Sequence, residues 1–128
     1  MAPLTIHLPR SPRVLGYIAG LLDGEGTVAL FNRNDVVGKK HPYVSIGNTN
    51  HRLILWLYKT MGGTVTSGWT GNTKHKRCYV WRLQGTLNVL AFLRVMQPML
   101  RIKNTKEVIR FCEWKIAKVE ELGGQVNE

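Results

Sequence analysis

The sequence predicts an α+β fold in the order helix, strand, strand, helix, strand, strand, helix, helix. Three observations lead there. Apolar residues recur at helical spacing in separate segments: Val14, Leu15, Ile18, Leu21 and Leu22; Leu53, Trp56, Leu57 and Met61; and Ile109, Cys112, Ile116 and Val119. Strand-like segments fall between them in two pairs, Thr27–Arg33 with Tyr43–Gly47 and Thr64–Ser67 with Arg77–Gln84. Polar, glycine-bearing stretches join the members of each pair.

Each element has a local cause. Residues 1–11 read as an extended arm, 12–123 as one domain and 124–128 as a tail. Ser11-Pro12 opens the first helix, a hydroxyl N-cap followed by proline where no N–H is needed. That helix is expected to stop at Asp23 or Gly24, with Gly24 and Gly26 as breakers. Asn34-Asp35 and Gly38-Lys39-Lys40 mark a polar turn. Asn50 caps the second helix, and Gly62-Gly63 ends it. Gly68 to Lys76 reads as a basic loop. Leu87 to Met96 is helical until Pro98 interrupts it. Asn104 with Glu107 three residues on resembles a capping box for the last helix, which Gly123-Gly124 ends.

Length and charge narrow the function. At 128 residues and 44% hydrophobic, the chain can bury one core and is not a disordered segment. Lys plus Arg exceeds Asp plus Glu by 18 to 8, and the pI is about 10.1, the footprint of a nucleic-acid binder. No apolar run approaches the roughly 20 residues of a membrane span, and no signal-peptide core follows the N-terminus, so an intracellular protein without membrane association is expected. Cys78 and Cys112 read as reduced thiols, not as a disulfide framework or a zinc site.

The acids are unevenly placed. Between Thr27 and Lys106 the only one is Asp35, whereas Asp23 and Glu25 stand together at the glycine-rich end of the first helix. A carboxylate there, amid positive charge, points to a metal site facing a polyanion. Gly16, Ala19, Gly20 and Asp23 recur at i, i+3, i+4 and i+7, a small-residue face that another backbone could approach closely.

The stretch Ile18-Ala19-Gly20-Leu21-Leu22-Asp23-Gly24-Glu25-Gly26 resembles the motif of the LAGLIDADG homing endonucleases, and the element order is similar to theirs. Leu93 to Lys106 is similar to the segment joining the last helices of single-motif members, and the resemblance covers roughly Pro12 to Trp114. It implies the αββαββα homing-endonuclease fold, a curved four-stranded antiparallel sheet with helices on one face, and a homodimer meeting through the face of Gly16, Ala19, Gly20 and Asp23, because one motif supplies one acid and a duplex has two strands. It also implies metal-dependent double-strand cleavage at a long pseudopalindromic site, by a protein encoded in an intron or other intervening sequence. Glu25 takes the place of the metal-binding acid, as glutamate where many members carry aspartate, and the Gly24 carbonyl would be a second ligand. Mg2+ is the implied ion, with Mn2+ tolerated and no other small-molecule cofactor. Asn48, Arg52 and Lys103 fall where relatives place catalytic groups that order water or stabilise charge; Asp23 takes a supporting role. An RNA maturase or DNA-binding regulator with this fold and no cleavage is the alternative, and a basic protein binding nucleic acid without specificity a further one.

Alternation predicts how duplex DNA would be met. Val28 and Leu30 face the core, leaving Thr27, Ala29, Phe31 and Arg33 outward, with His41, Tyr43 and Ser45 from the second strand and Arg82 from the fourth. Lys39, Lys40, Trp69, Lys74, Lys76 and Arg77 are assigned to loops that follow the phosphate backbone. The histidines are expected to touch DNA or solvent.

Overall fold

A computed structural model describes residues 1–32, 39–69 and 76–123. Helix α1 runs from Pro12 to Glu25, β1 from Gly26 to Asn32, β2 from Lys40 to Asn48 and α2 from His51 to Met61. Then come β3 (Thr64–Trp69), β4 (Arg77–Gln84), α3 (Thr86–Met96), a 3₁₀ turn (Gln97–Met99) and α4 (Lys106–Glu121). The expected α+β order is therefore present. The strands form one antiparallel sheet in the order β1-β2-β4-β3.

Alternation settles the two faces. Val44, Ile46, Trp81 and Leu83 are buried and share one face, in the register Val44 with Leu83 and Ile46 with Trp81. Ile18 and Leu22 of α1, Ile54, Leu57 and Met61 of α2, Phe92, Leu93 and Met96 of α3, and Cys112 of α4 join them in one core. Burying each large apolar side chain contributes roughly 2 kcal/mol. Cys78 and Cys112 are free thiols, half-buried and buried respectively. Among the described residues no helix is long and apolar enough to cross a membrane.

The helix ends differ from the sequence expectation in two places. Ser11 Oγ accepts from the Val14 amide at 3.4 Å as expected, but α1 passes through Gly24 and ends at Gly26. A Cβ on Gly26 would lie 2.5 Å from Leu22 Cδ1 and 2.7 Å from Leu22 O, so the chain turns where only glycine fits. Helix α4 starts one residue later than an Asn104 cap requires: Thr105 is the N-cap, and Asn104 Oδ1 accepts from the Lys106 amide at 3.1 Å. The asparagine makes a local turn two residues forward instead of a capping box.

Two polar side chains lock the layers. Trp81 Nε1 donates to Gly62 O at 2.7 Å, satisfying a buried indole against the turn that ends α2. Asn88 binds the arm: its Oδ1 accepts from the Thr5 and Ile6 amides at 2.8 and 3.0 Å, and its Nδ2 donates to Thr5 Oγ1 and Gln84 O. Ile6 and Leu8 consequently pack on the core.

Candidate functional site

The end of α1 brings the two acids to opposite fates. Asp23 accepts three backbone N–H groups from the segment between the 3₁₀ turn and α4: Arg101 at 2.7 Å, Ile102 at 3.1 Å and Lys103 at 3.0 Å. Its carboxyl is held below the ordinary carboxylate range by the Arg101 N–H first, then the Lys103 N–H, with smaller contributions from the Ile102 N–H and the Lys103 charge. Asp23 therefore fastens the segment bearing Lys103 to the end of α1, with its carboxylate taken up by backbone N–H groups of its own chain.

Glu25, the last residue of α1, is exposed. Its Oε2 accepts from Asn48 Nδ2 at 2.7 Å. Asn48 closes β2, and its Oδ1 accepts from the Asn50 amide at 2.7 Å; Asn50 Oδ1 in turn caps α2 through the Leu53 amide at 3.1 Å. A polar relay thus runs from the carboxylate to the first turn of α2, where Arg52 stands exposed. Three of the four residues expected to act on phosphate, Glu25, Asn48 and Arg52, are linked by this relay and the turn it caps. The backbone of Lys103 is fastened to the same end of α1 through Asp23.

The donor set fits a hard cation in one particular way. Among the described residues no three His, Cys, Asp or Glu side chains gather to hold a metal. Glu25 Oε1 has no protein partner among them. Magnesium is commonly held by one or two carboxylates plus substrate phosphates and water, not by an all-protein cage, and one carboxylate with a helix-terminal carbonyl at Gly24 meets that pattern.

The small-residue stripe on α1 is rotated from the expected one. Gly16, Gly20 and Gly24 are exposed, and a Cβ built on any of them meets nothing within 4 Å among the described residues. Ala19 is 2% exposed and belongs to the core beside Ile18 and Leu22. The open stripe is thus Gly16, Gly20 and Gly24, with Ala19 turned inward and Asp23 at its edge. Tyr17 flanks it, 53% exposed and edge-on to Trp56 of α2 at 5.6 Å.

The sheet face away from the helices carries Thr27, Ala29 and Phe31 in β1, paired with Ser45, Tyr43 and His41 in β2. Ser45 pairs with Arg82, which also pairs with Thr64. Not one residue in the four strands is acidic. Thr64 and Thr66 join this face through their pairing with Arg82 and Val80; the sequence gives the alternation of β3 but not its register, so they were not expected there. Several expected contacts move. Trp69 ends β3 and Arg77 begins β4, so neither is a loop residue, and the two pair on the parity of Tyr79 and Trp81 rather than of Arg82. His51 is exposed, as expected, and stacks one ring face on Tyr79 at 4.1 Å and 13°. Lys39 and Lys76 are exposed beside strand ends and Lys40 begins β2. Arg33 and Lys74 lie outside the described residues.

No family model matches the chain, and no curated protein matches its sequence. Solved structures match its fold. The homing endonuclease I-CvuI in complex with its target superposes with a TM-score of 0.54 at 18% identity, over 91% of this chain and 86% of that one. The archaeal intron-encoded homing endonuclease I-Vdi141I, complexed with DNA, gives 0.54 at 20% identity, over 87% and 70%. The LAGLIDADG meganuclease I-AabMI, bound to uncleaved DNA, gives 0.52 at 15% identity, over 84% of this chain but 38% of its own longer one. At such identities the likeness is one of fold: the chain has the LAGLIDADG homing-endonuclease fold that its first-helix motif resembles.

Proposed function

We propose, from this fold and the acid at the end of α1, that the chain is a homodimeric, site-specific DNA endonuclease that hydrolyses phosphodiester bonds with a divalent cation. The Glu25–Asn48 contact carries the proposal. An exposed carboxylate, oriented through one oxygen and with no partner for the other among the described residues, stands at the border of a sheet without acids in a chain of net charge +10. A purely structural acid would resemble Asp23, with its oxygens consumed by its own backbone.

In this reading Glu25 and the Gly24 carbonyl hold the ion, Mg2+ or Mn2+, which when bound supplies Lewis acidity at the phosphate and a more acidic water. I-CvuI was solved on the I-CreI target in the presence of magnesium, with that DNA not cleaved, and on its own target in the presence of calcium, which supports a divalent ion at this fold's site. Asn48 keeps Glu25 in one orientation. Arg52 and Lys103 add positive charge where the phosphate gathers negative charge. The glycine stripe lets two α1 helices approach closely, so that two Glu25 carboxylates face the two strands of one duplex. The target is then a pseudopalindrome on the order of 20 bp, two half-sites across a two-fold axis, and the gene an intron or other intervening sequence.

The test is incubation with Mg2+ and duplex DNA spanning candidate insertion sites, alongside Glu25→Gln. Double-strand cleavage by the parent, and binding without cleavage by Glu25→Gln, is the expected outcome. Sequence-specific binding by the parent with every duplex left intact defeats the nuclease and favours the regulator; tight intron RNA binding with splicing assistance favours the maturase.

A further inference from the structure

The geometry points to Arg82 as a reader of guanine in the major groove, with Tyr43 and Phe31 as the aromatic support that holds its guanidinium in place. This rests on the sequence-specific DNA binding proposed above. Arg82 lies on β4, one of the two inner strands, on the face away from the helices. Its lateral neighbours there are short, Ser45 on β2 and Thr64 on β3, so the long side chain overtops both. Its Cζ lies 4.9 Å from the centroid of the Tyr43 ring. Phe31 meets that ring edge-on at 5.3 Å and 77°, so a diagonal of contacts crosses β1, β2 and β4.

Two further facts separate this arginine from a solvated charge. No acid occurs in any of the four strands, and no hydrogen-bond acceptor among the described residues takes its N–H groups. The planar fork is therefore oriented, and unspent among the described residues. A fork braced against an aromatic face loses little freedom on binding, and its paired N–H groups match the O6 and N7 acceptors of guanine. Phosphates border a groove, whereas a residue on an inner strand of an inserted sheet faces base edges. Position and chemistry both select a base over the backbone.

The experiment is recovery of bound duplexes from a randomised library by the full-length chain, its Arg82→Lys, Arg82→Gln and Tyr43→Leu variants, at one moderate salt concentration. The parent is expected to enrich a motif with one invariant guanine per bound chain. Arg82→Lys, which keeps the charge and loses the fork, and Arg82→Gln relax that position alone; Tyr43→Leu relaxes it partly. Replacing that guanine by 7-deazaguanine, which lacks the N7 acceptor, weakens parental binding about tenfold and leaves Arg82→Gln unchanged. If Arg82→Gln instead weakens binding to all sequences alike and lowers the salt slope by about one, Arg82 is a phosphate contact and the inference fails. A parental motif indifferent to Arg82 also overturns it while leaving the endonuclease reading intact. A parent that enriches no motif overturns both.

Discussion

Asn48 Nδ2 lies 2.7 Å from Glu25 Oε2, and the Oδ1 of the same amide takes the Asn50 N–H at 2.7 Å. One side chain thus joins the end of α1, the end of β2 and the start of α2. One N–H and one lone pair of the amide are used in these contacts, so Asn48 holds the carboxylate in place, and its second N–H and second lone pair leave it the capacity to order a solvent molecule, the role the family resemblance implies.

Asn48→Ala is therefore expected to slow cleavage by roughly 10- to 100-fold, the usual effect of removing a group that orients a metal ligand. DNA affinity should stay within a few-fold of the parent. Single-turnover cleavage beside a gel-shift titration separates the two, and equal loss in both would show that Asn48 contributes to DNA binding instead.

Gly20→Leu should separate folding from association. A Cβ at Gly20 meets nothing within 4 Å among the described residues, and leaving glycine in a helix gains up to about 1 kcal/mol. The monomer should keep or raise its melting temperature, while sedimentation at micromolar concentration shows loss of the dimer and cleavage of both strands disappears. A dimer that survives the substitution would move the interface off α1.

Asp23 makes acid stability predictable in direction. Its folded pKa is depressed by the N–H groups of Arg101, Lys103 and Ile102. A depressed carboxylate stabilises fully above its unfolded value, about 3.9, and the contribution is lost as the pH falls through the lower folded value. The stability gap between parent and Asp23→Asn should be constant at neutral pH and narrow below about pH 4. Denaturant melts from pH 7 to pH 3 measure it; a gap that widens on acidification would contradict the contacts.

Asn88→Ala should free the arm. The substitution strands the Thr5 and Ile6 amides and removes two donor contacts from a residue 8% exposed. A loss of about 1–3 kcal/mol follows, with proteolysis near residues 5–8 appearing before global unfolding. An arm as protected as in the parent would mean that Ile6 and Leu8 hold it without the amide.

Much of the fold was legible because its causes are local. Ser11-Pro12, Asn50 and Gly62-Gly63 act on residues within a turn of themselves, and β4 runs over the residues its pattern marks, Arg77 to Gln84. Alternation put His41, Tyr43, Ser45 and Arg82 on one face. The arm was the exception: nothing near residues 5 and 6 announces that Asn88, more than 80 positions away, will bind them.

The glycine stripe shows where local reasoning fails by a small angle. Each helical residue turns the side chain by about 100°, so 16, 19, 20 and 23 and 16, 20 and 24 are both narrow sectors of one helix. Which sector stays open depends on how α1 is rolled against the sheet, and the packing of Ile18 and Leu22 rolls Ala19 inward.

The linear chain was enough to establish the helix and strand periods, the basic balance and the pairing of acids with glycines at one helix end, since these depend on composition and on neighbours a few residues apart. The division of labour between Asp23 and Glu25, the inward turn of Ala19 and the stacking of Arg82 on Tyr43 required the folded molecule. Each is set by partners 23 to 80 residues away for the acids, and by packing across strands for the arginine. Such contacts exist only after the core has fixed how the layers sit against one another.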